Sequence, residues 1–407
     1  MTTEHSSPAS HAFSRQKVRR LSIINKLALV TTLIYIMLIP WGNAVFDGFT
    51  RLFGIAAVGT ALLMLITQGT HRRYSFFHLL IVLFWSWIII SLIWSPDLET
   101  GKTATNTAIQ LVIISFLISF VINSRMTIRL AYQAYVAGAF IASLIILYNF
   151  INGIESKYYG RYGITNFEVD DISIIIAFAI PMAAYLTTQF PSKLMKLFNA
   201  VAIPLCILAI FLTATRTGSI VAMVGVAYWL FIHRKANLKI KLLLLVFFIS
   251  SVIGVFTFAP KASIDRVFSS SKSISSGTLN YRTVIWGASL AQWKKSPIIG
   301  NGIGSLYFVL NSSHVEYGNA HNTYIHVLTE NGIIGLLLYL LVIFSILYYT
   351  FRAPLDEKAF LLALLMVVLL SQLTLNTLLY KETWFVLTIL AIHAYLASIK
   401  TKNTHVI

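Results

Sequence analysis

Three polar residues are the strongest candidates for chemistry in a chain that is 57% hydrophobic and 11% charged. Arg216 lies in the hairpin sequence Thr-Ala-Thr-Arg-Thr-Gly between two apolar segments, and Arg282 follows Tyr281 in a polar segment. His321 precedes Asn322 where that long polar segment returns to an apolar one. A guanidinium group can bind two phosphate oxygens at once through two parallel hydrogen bonds, and a neutral imidazole can accept a proton from a hydroxyl. Together they predict a site that holds a phosphorylated leaving group.

Each residue also has a plain alternative when it is considered alone. Arg216 could be an arginine whose charge extends to the membrane surface, Arg282 a solvated loop charge, and His321 a structural histidine. Burying an arginine in hydrocarbon costs at least ~2.5 kcal/mol unless a partner compensates. The case for chemistry therefore depends on the three residues lying together.

A metal site is not predicted by the remaining polar residues. His321 and His326 are five residues apart and do not share a helical face, and neither they nor His314 have a carboxylate at ligand spacing. Cys206 is the single cysteine, which excludes disulfides and cysteine-based metal sites. The acidic pairs are interpreted as solvated loop charge: Asp97 with Glu99, and Asp170 with Asp171.

The elements that must position these residues are membrane helices. Apolar windows near the ~20 residues needed to cross a bilayer recur along the chain, and open sheets cannot span lipid. The sequence predicts an all-α polytopic bundle of about twelve spans, near 27–46, 51–67, 76–94, 107–122, 130–151, 171–189, 198–214, 218–232, 240–259, 333–351, 359–376 and 384–398.

The distribution of charge predicts the orientation of these spans. With both termini cytoplasmic, most of the 31 Lys and Arg residues lie inside and most of the 14 acidic residues outside, as the positive-inside rule requires. The basic residues that give the net charge of +17 are scattered in short clusters between the spans. This pattern is typical of membrane topology and of contact with anionic lipid, and it does not indicate nucleic-acid binding. The predicted organisation is a cytoplasmic tail (1–26), nine spans (27–259), a large periplasmic catalytic loop (260–332), three spans (333–398) and a second tail (399–407).

The predicted loop should contain short helices of its own, because a structureless loop of this length is unusual. Residues 281–295 predict an amphipathic helix on the membrane surface, with Ile285, Trp286 and Leu290 opposite Arg282 and Gln292. The three glycines that follow Pro297 predict a flexible turn: Gly300, Gly302 and Gly304.

The order of these motifs resembles the O-antigen ligase family, which also includes O-antigen and exopolysaccharide polymerases. The resemblance rests on Thr-Arg-Thr-Gly, on Tyr281-Arg282, on Ser-Pro-Ile-Ile-Gly-Asn-Gly-Ile-Gly, and on His321-Asn322, nine residues, then Gly332 and Gly335. It covers roughly residues 170–350, and the earlier spans match only in hydropathy. The two last glycines are expected to permit close helix packing.

The resemblance implies a glycosyltransferase of the bacterial inner membrane that needs no metal or other cofactor. Its donor would be a glycan on undecaprenyl pyrophosphate, and its acceptor the lipid A-core or another lipid-linked glycan. Arg216 and Arg282, with Tyr281 and Asn322 in the same site, would bind the donor. His321 would bind phosphate or activate the acceptor hydroxyl on the periplasmic face.

Two alternatives to a ligase stay open. The uninterrupted His-Asn…Gly-x-x-Gly block favours a ligase, while a polymerase would need the same donor chemistry. A lipid-glycan flippase or transporter also has many spans, but it usually carries charges or broken helices near the bilayer midplane. Here the polar residues gather on one face, which favours surface chemistry over transport.

Overall fold

The computed structural model describes residues 8–42, 47–68, 75–234, 281–312 and 319–404. Regular structure within these ranges is entirely helical, which agrees with the predicted all-α class. The helices are α1 (Pro8–Leu38), α2 (Asp47–Gln68), α3 (Phe76–Ile90), α4 (Leu98–Val121), α5 (Arg125–Ile151), α6 (Val169–Gln189), α7 (Lys193–Leu212), α8 (Arg216–Ile232), α9 (Arg282–Trp293), α10 (Leu306–Asn311), α11 (Thr323–Phe351), α12 (Leu355–Gln372) and α13 (Lys381–Thr404), with a 3-10 helix at Ser91–Trp94 after α3.

Eight segments of the described helices are long and apolar enough to cross a membrane. They are Gly48–Thr67, Phe76–Trp94, Leu98–Val121, Arg125–Ile151, Val169–Gln189, Lys193–Leu212, Thr323–Phe351 and Lys381–Ile399. Ile23–Leu38 and Arg216–Ile232 are shorter apolar helices, and α12 carries three charges in its first turns. The predicted span 240–259 lies outside the described residues, so the total of twelve stays a prediction.

Large apolar side chains point outward along the peripheral helices, as they do in a protein that has lipid for a solvent. Ile55, Ile66 and Ile93 are each more than 70% exposed. In contrast, α6 is buried on nearly all sides, because it packs against α5, α7, α8 and α12. This distribution supports a multi-pass membrane protein with α6 at its centre.

Glycines let α8 lie close to α6. A Cβ atom at Gly218 would come within 2.5 Å of the Ser173 hydroxyl oxygen, and one at Gly225 within 2.7 Å of Ile180. The helix that begins at Arg216 is therefore fixed against the central helix by two small residues on one face. This contact sets the height of Arg216 relative to the first turn of α6.

Several connecting segments meet at one end of the bundle, which we call the site end. Tyr162 donates its backbone N–H to the Leu212 carbonyl (2.9 Å), and Tyr380 donates its hydroxyl to Asp171 (2.8 Å). Thr323 donates to the Leu375 carbonyl (2.9 Å). These bonds join the loop of residues 152–168, the α7–α8 hairpin, the start of α11 and the segment 373–380.

Candidate functional site

The loop of residues 152–168 is anchored to the hairpin before Arg216 by a buried arginine. Arg161, 3% exposed, donates from Nε to the Thr213 carbonyl (2.9 Å) and from Nη2 to Asp170 Oδ1 (2.7 Å). A buried guanidinium needs such partners because an unpaired charge away from water is very costly. One side chain therefore ties this loop, the α7–α8 hairpin and the first turn of α6 together.

Arg216 is the first residue of α8, directly after the hairpin. Ala214 has a positive φ of 51°, which lets the chain reverse within three residues, and the side chains of Thr213 and Thr215 lie 3.1 Å apart through their hydroxyl oxygens. The guanidinium is half-buried. It thus lies at the site end beside the anchored loop, in the short hairpin between two apolar helices.

Arg282 opens α9 and is near Arg216 and Asp170. Burial lowers the pKa of Arg282 from its ordinary value, and the positive charge of Arg216 lowers it further while Asp170 opposes the shift. Tyr281, which precedes it, has a left-handed backbone (φ 63°) and an exposed ring. The structure therefore brings the two predicted arginines within electrostatic range of each other.

His321 lies beside Arg282. Burial lowers the pKa of its imidazole, and the Arg282 charge lowers it further, whereas Asp170 raises it. Trp286, one turn after Arg282, donates its indole N–H to the carbonyl of Ala320 (2.8 Å), so α9 holds the residue next to His321. A pKa below the usual ~6.5 makes the imidazole neutral at pH 7. We call Arg216, Arg282 and His321 the cationic cluster, after its two permanent charges.

The backbone around His321 is strained and holds its imidazole in a half-buried position. His321 has a φ of 47°, and its N–H donates to Asn319 Oδ1 (2.8 Å). Its Nδ1 is buried and accepts or donates no hydrogen bond among the described residues. A polar ring atom kept this way at a positive backbone φ is typical of a binding or reacting site.

Asn322 is used by the protein itself. Its Oδ1 caps α11 by accepting from the Ile325 N–H (3.0 Å), and its Nδ2 donates to the Leu373 carbonyl (3.1 Å). Both ends of the amide are therefore engaged in placing the start of α11. This gives Asn322 a positioning role for His321, and direct contact with substrate stays a prediction.

The glycine turn, residues 296–304, lies against a break in α11. Gly332 has φ 66° and ψ −168° inside the helix, and Ile333 and Ile334 donate their N–H groups to the Pro297 and Ile298 carbonyls (3.0 and 3.3 Å). A Cβ at Gly300 would approach Asn331 N within 2.5 Å. The prediction of a flexible turn is wrong, because the turn is bonded and packed on the break.

Glu330 closes this junction between the glycine turn and α11. Its carboxylate accepts from the N–H groups of Gly304 and Leu306 (3.0 Å each) and lies 3.2 Å from His326 Nε2. Helix α3 supports the other side of the break in α11, since the indole N–H of Trp87 donates to the Asn331 carbonyl (3.0 Å). Gly332 therefore serves backbone geometry. A Cβ at Gly335 would come within 2.4 Å of Asn331 Cβ, so that glycine makes room for the Asn331 side chain in the same helix.

Three further sequence predictions are corrected by these contacts. Gln292 is buried on the same face as Ile285 and donates to the Val309 carbonyl (3.1 Å), so it does not lie opposite the apolar face. α9 packs against α11 and α10 rather than resting on a membrane surface alone. Asp170 and Asp171 are bonded by Arg161 and Tyr380, so they are not solvated loop charge.

Sequence reasoning assigned no positioning role to Arg161, Asp170 or Glu330. A buried ion pair between a loop and a helix start has no periodic pattern, although the basic residue within Tyr-Gly-Arg-Tyr before an acidic helix start is a usable signal. Glu330 stands two residues before Gly332, and an acid next to a helix break could have been interpreted as an acceptor for backbone N–H groups. Among the described residues, no group of three His, Cys, Asp or Glu side chains could hold a metal ion.

Comparison with known proteins bears on the region that contains the cationic cluster. Residues 200–340 match the family model described as O-Antigen ligase. The resemblance to the O-antigen ligase family is confirmed. The O-antigen ligase region includes Arg216, Arg282, His321, the glycine turn and the break in α11, and it supports a membrane enzyme of the ligase or polymerase type.

The chain is also similar to a protein of Haemophilus influenzae described as uncharacterized. The two are 25% identical over 204 residues, which is 45% of this chain and 50% of the relative. The chain therefore spans about half the length of the curated relative that it matches. Any statement about the substrates and partners of the whole protein is therefore a proposal, argued from the chemistry of the site.

Proposed function

We propose that the protein transfers a glycan from undecaprenyl pyrophosphate to lipid A-core on the periplasmic face of the bacterial inner membrane. The observation that carries the proposal is the convergence of Arg216, Arg282 and a neutral His321 at one end of a helical bundle, within the O-antigen ligase region. A polymerase that joins lipid-linked repeat units would use the same cluster, and it is the alternative.

The arginines of the cationic cluster suit a pyrophosphate leaving group. Two guanidinium groups that are near each other and half-buried repel one another, and a dianionic ligand relieves that repulsion. As the bond from the anomeric carbon to the pyrophosphate oxygen breaks, charge grows on that oxygen and the arginines stabilise it. The same groups make a metal unnecessary for the proposed reaction.

His321 would assist the attacking hydroxyl. The acceptor oxygen forms the new glycosidic bond with inversion at the anomeric carbon, and its proton passes to the neutral imidazole. The Arg282 charge disfavours an imidazolium beside it, so the proton moves on to the departing pyrophosphate or to water. His321 would then return to its neutral state for the next transfer.

The test is transfer by the purified protein together with complementation of a ligase-deficient and a polymerase-deficient strain. We expect Arg216→Ala, Arg282→Ala and His321→Ala each to lose transfer while remaining in the membrane. Arg352→Ala is the control, because this exposed arginine stacks on Tyr348 at the end of α11 away from the cluster. Wild-type transfer by His321→Ala would refute its assigned role.

The two strains separate the ligase from the polymerase. Long glycan on lipid A-core in the ligase-deficient strain alone supports the ligase. Lengthened lipid-linked repeats in the polymerase-deficient strain support the polymerase instead.

A further inference from the structure

A cavity of about 470 Å³ lies at the site end between the loop of residues 152–168 and the start of α6. Its walls include Asn149, Glu155, Tyr158, Asn166 and Asp171. None of the cationic cluster lines it, although Asp170, which faces Arg161, is the neighbour of Asp171. The first turn of α6 thus has one carboxylate on the side of the cluster and one on the side of this cavity.

The lining has the chemistry of a sugar site. Amide groups donate and accept hydrogen bonds with hydroxyls, and carboxylates accept them. Tyr158 adds an aromatic ring to the wall, with Lys157 and Arg161 lying 5.2 and 5.1 Å from its centroid. The volume lies within the ~300–1,000 Å³ range of small-molecule pockets. A second cavity of about 290 Å³ shares Phe167 and Asp171 and continues to Tyr380, which lengthens the surface beyond one sugar.

The charge of the lining disfavours the pyrophosphate as its occupant. Lys157 is paired with Glu168, and the carboxylates of Glu155 and of Asp171, which accepts from the Tyr380 hydroxyl, add negative charge to the lining. An acidic lining repels phosphates and uronic acids, whereas it accepts neutral or amino sugars. The pyrophosphate and the occupant of this cavity must therefore bind at different places.

We propose that this cavity is a saccharide subsite that binds a neutral or amino sugar of one of the two glycan substrates. The proposal rests on the proposed transfer for its biological role, while the binding itself does not depend on transfer. The occupant comes from either the donor glycan or the acceptor glycan, and kinetics distinguish the two. Tyr158 and Asn166 would contact the sugar without taking part in bond breaking.

The first experiment measures binding without catalysis. Neutral oligosaccharide released by mild acid from the host's surface glycan is titrated into the purified full-length protein, and saturation-transfer NMR reports the contact. We expect binding to weaken about tenfold in Tyr158→Ala and Asn166→Gly and to persist in Tyr158→Phe. Glycine suits position 166, whose φ is 65°. Tyr159→Ala is the matched control, because that ring is 87% exposed and lies outside the cavity.

The second experiment identifies the source of the sugar. A raised KM for the acceptor with unchanged kcat assigns the cavity to the acceptor glycan, and a raised KM for the donor assigns it to the donor glycan. Wild-type binding by both Tyr158→Ala and Asn166→Gly, or no binding by the wild-type protein, overturns the proposal. Binding that maps to Tyr158 in a protein with no transfer activity keeps the subsite and refutes the proposed function.

Discussion

At the scale of single residues, the protonation of His321 is set by its neighbours. Burial and the Arg282 charge lower the pKa of the imidazole, and Asp170 raises it. Burial has the largest effect on this pKa, and the Arg282 charge acts in the same direction, so Asp170 does not reverse the shift. The proposed base is therefore kept neutral by burial together with the arginine that would hold the leaving group.

The first prediction concerns the pH at which His321 gains its proton. Arg282→Gln removes a positive charge, so the pKa of His321 rises and the neutral imidazole is lost at a higher pH than in the wild type. The rate of modification by diethyl pyrocarbonate, read on the His321 peptide by mass spectrometry, gives the midpoint without needing activity. An unchanged midpoint would mean that the two side chains do not interact.

The second prediction compares the two ion pairs near the start of α6. Arg161→Ala leaves the Thr213 carbonyl and Asp170 without their buried partner, and we expect it to cost about 2 kcal/mol of stability. Lys157→Ala breaks the pair with Glu168, whose side chains are 62% and 50% exposed, and we expect little change in Tm. Thermal unfolding in detergent measures both. Equal losses would contradict the anchoring role of Arg161.

At the scale of the elements, the break in α11 and the glycine turn form one unit. The helix break gives up its own hydrogen bonds near Gly332, and the turn supplies carbonyls from Pro297 and Ile298 in their place. The Glu330 carboxylate in return accepts from the N–H of Gly304 in the turn and from that of Leu306 at the start of α10. Because α9 and α10 flank this turn, the unit fixes Arg282 relative to His321.

The third prediction tests that unit. Gly332→Ala places a Cβ 2.2 Å from the Ile298 carbonyl at a φ of 66°, and we expect a loss of about 2–3 kcal/mol. Gly287→Ala in α9 is the control, since a Cβ there meets nothing within 4 Å. That change should be neutral or stabilising by about 0.5–1 kcal/mol. Tm and the yield of folded protein in membranes measure both, and a stable Gly332→Ala would refute the role of the break.

The sequence predicts the helices more completely than it predicts the contacts between them. Hydropathy indicates α3 to α8 well, because a span must be apolar over most of its length. The candidate residues Arg216, Arg282 and His321 stood out because each is polar in an apolar surrounding. Gln292, Arg161 and Glu330 could not be placed in this way, since their partners (Val309, Asp170 and Gly304) belong to other elements.

At the scale of the whole molecule, the connecting segments divide between two ends. Arg161, Asn322 and Tyr380 are bonded at the site end. The other end contains the buried contacts of Glu357 with His393 (2.9 Å) and with Tyr185 (3.0 Å). The positive-inside pattern predicts that the site end faces the periplasm.

The fourth prediction tests this orientation. In a Cys206→Ser background, Tyr159→Cys should react with a membrane-impermeant thiol reagent added to spheroplasts, because Tyr159 is exposed at the site end. Lys193→Cys, at the start of α7, should react only after the membrane is opened. The reverse order would place the cationic cluster in the cytoplasm and would rule out a periplasmic transfer. Labelling is read by gel shift.

The hydrogen bonds of Ser91 have a consequence for biosynthesis. Its hydroxyl receives the N–H of Ile303, 212 residues later, and the Asn331 amide, 240 residues later. At about 5–20 residues per second, translation delivers the first of these partners roughly 10–40 s after Ser91 itself. During that interval the hydroxyl has only the Ile88 carbonyl in its own helix (2.6 Å). The contacts of Ser91 with the glycine turn and with the break in α11 therefore form only after the later part of the chain has been made, and a chain that stops before residue 303 would lack both partners.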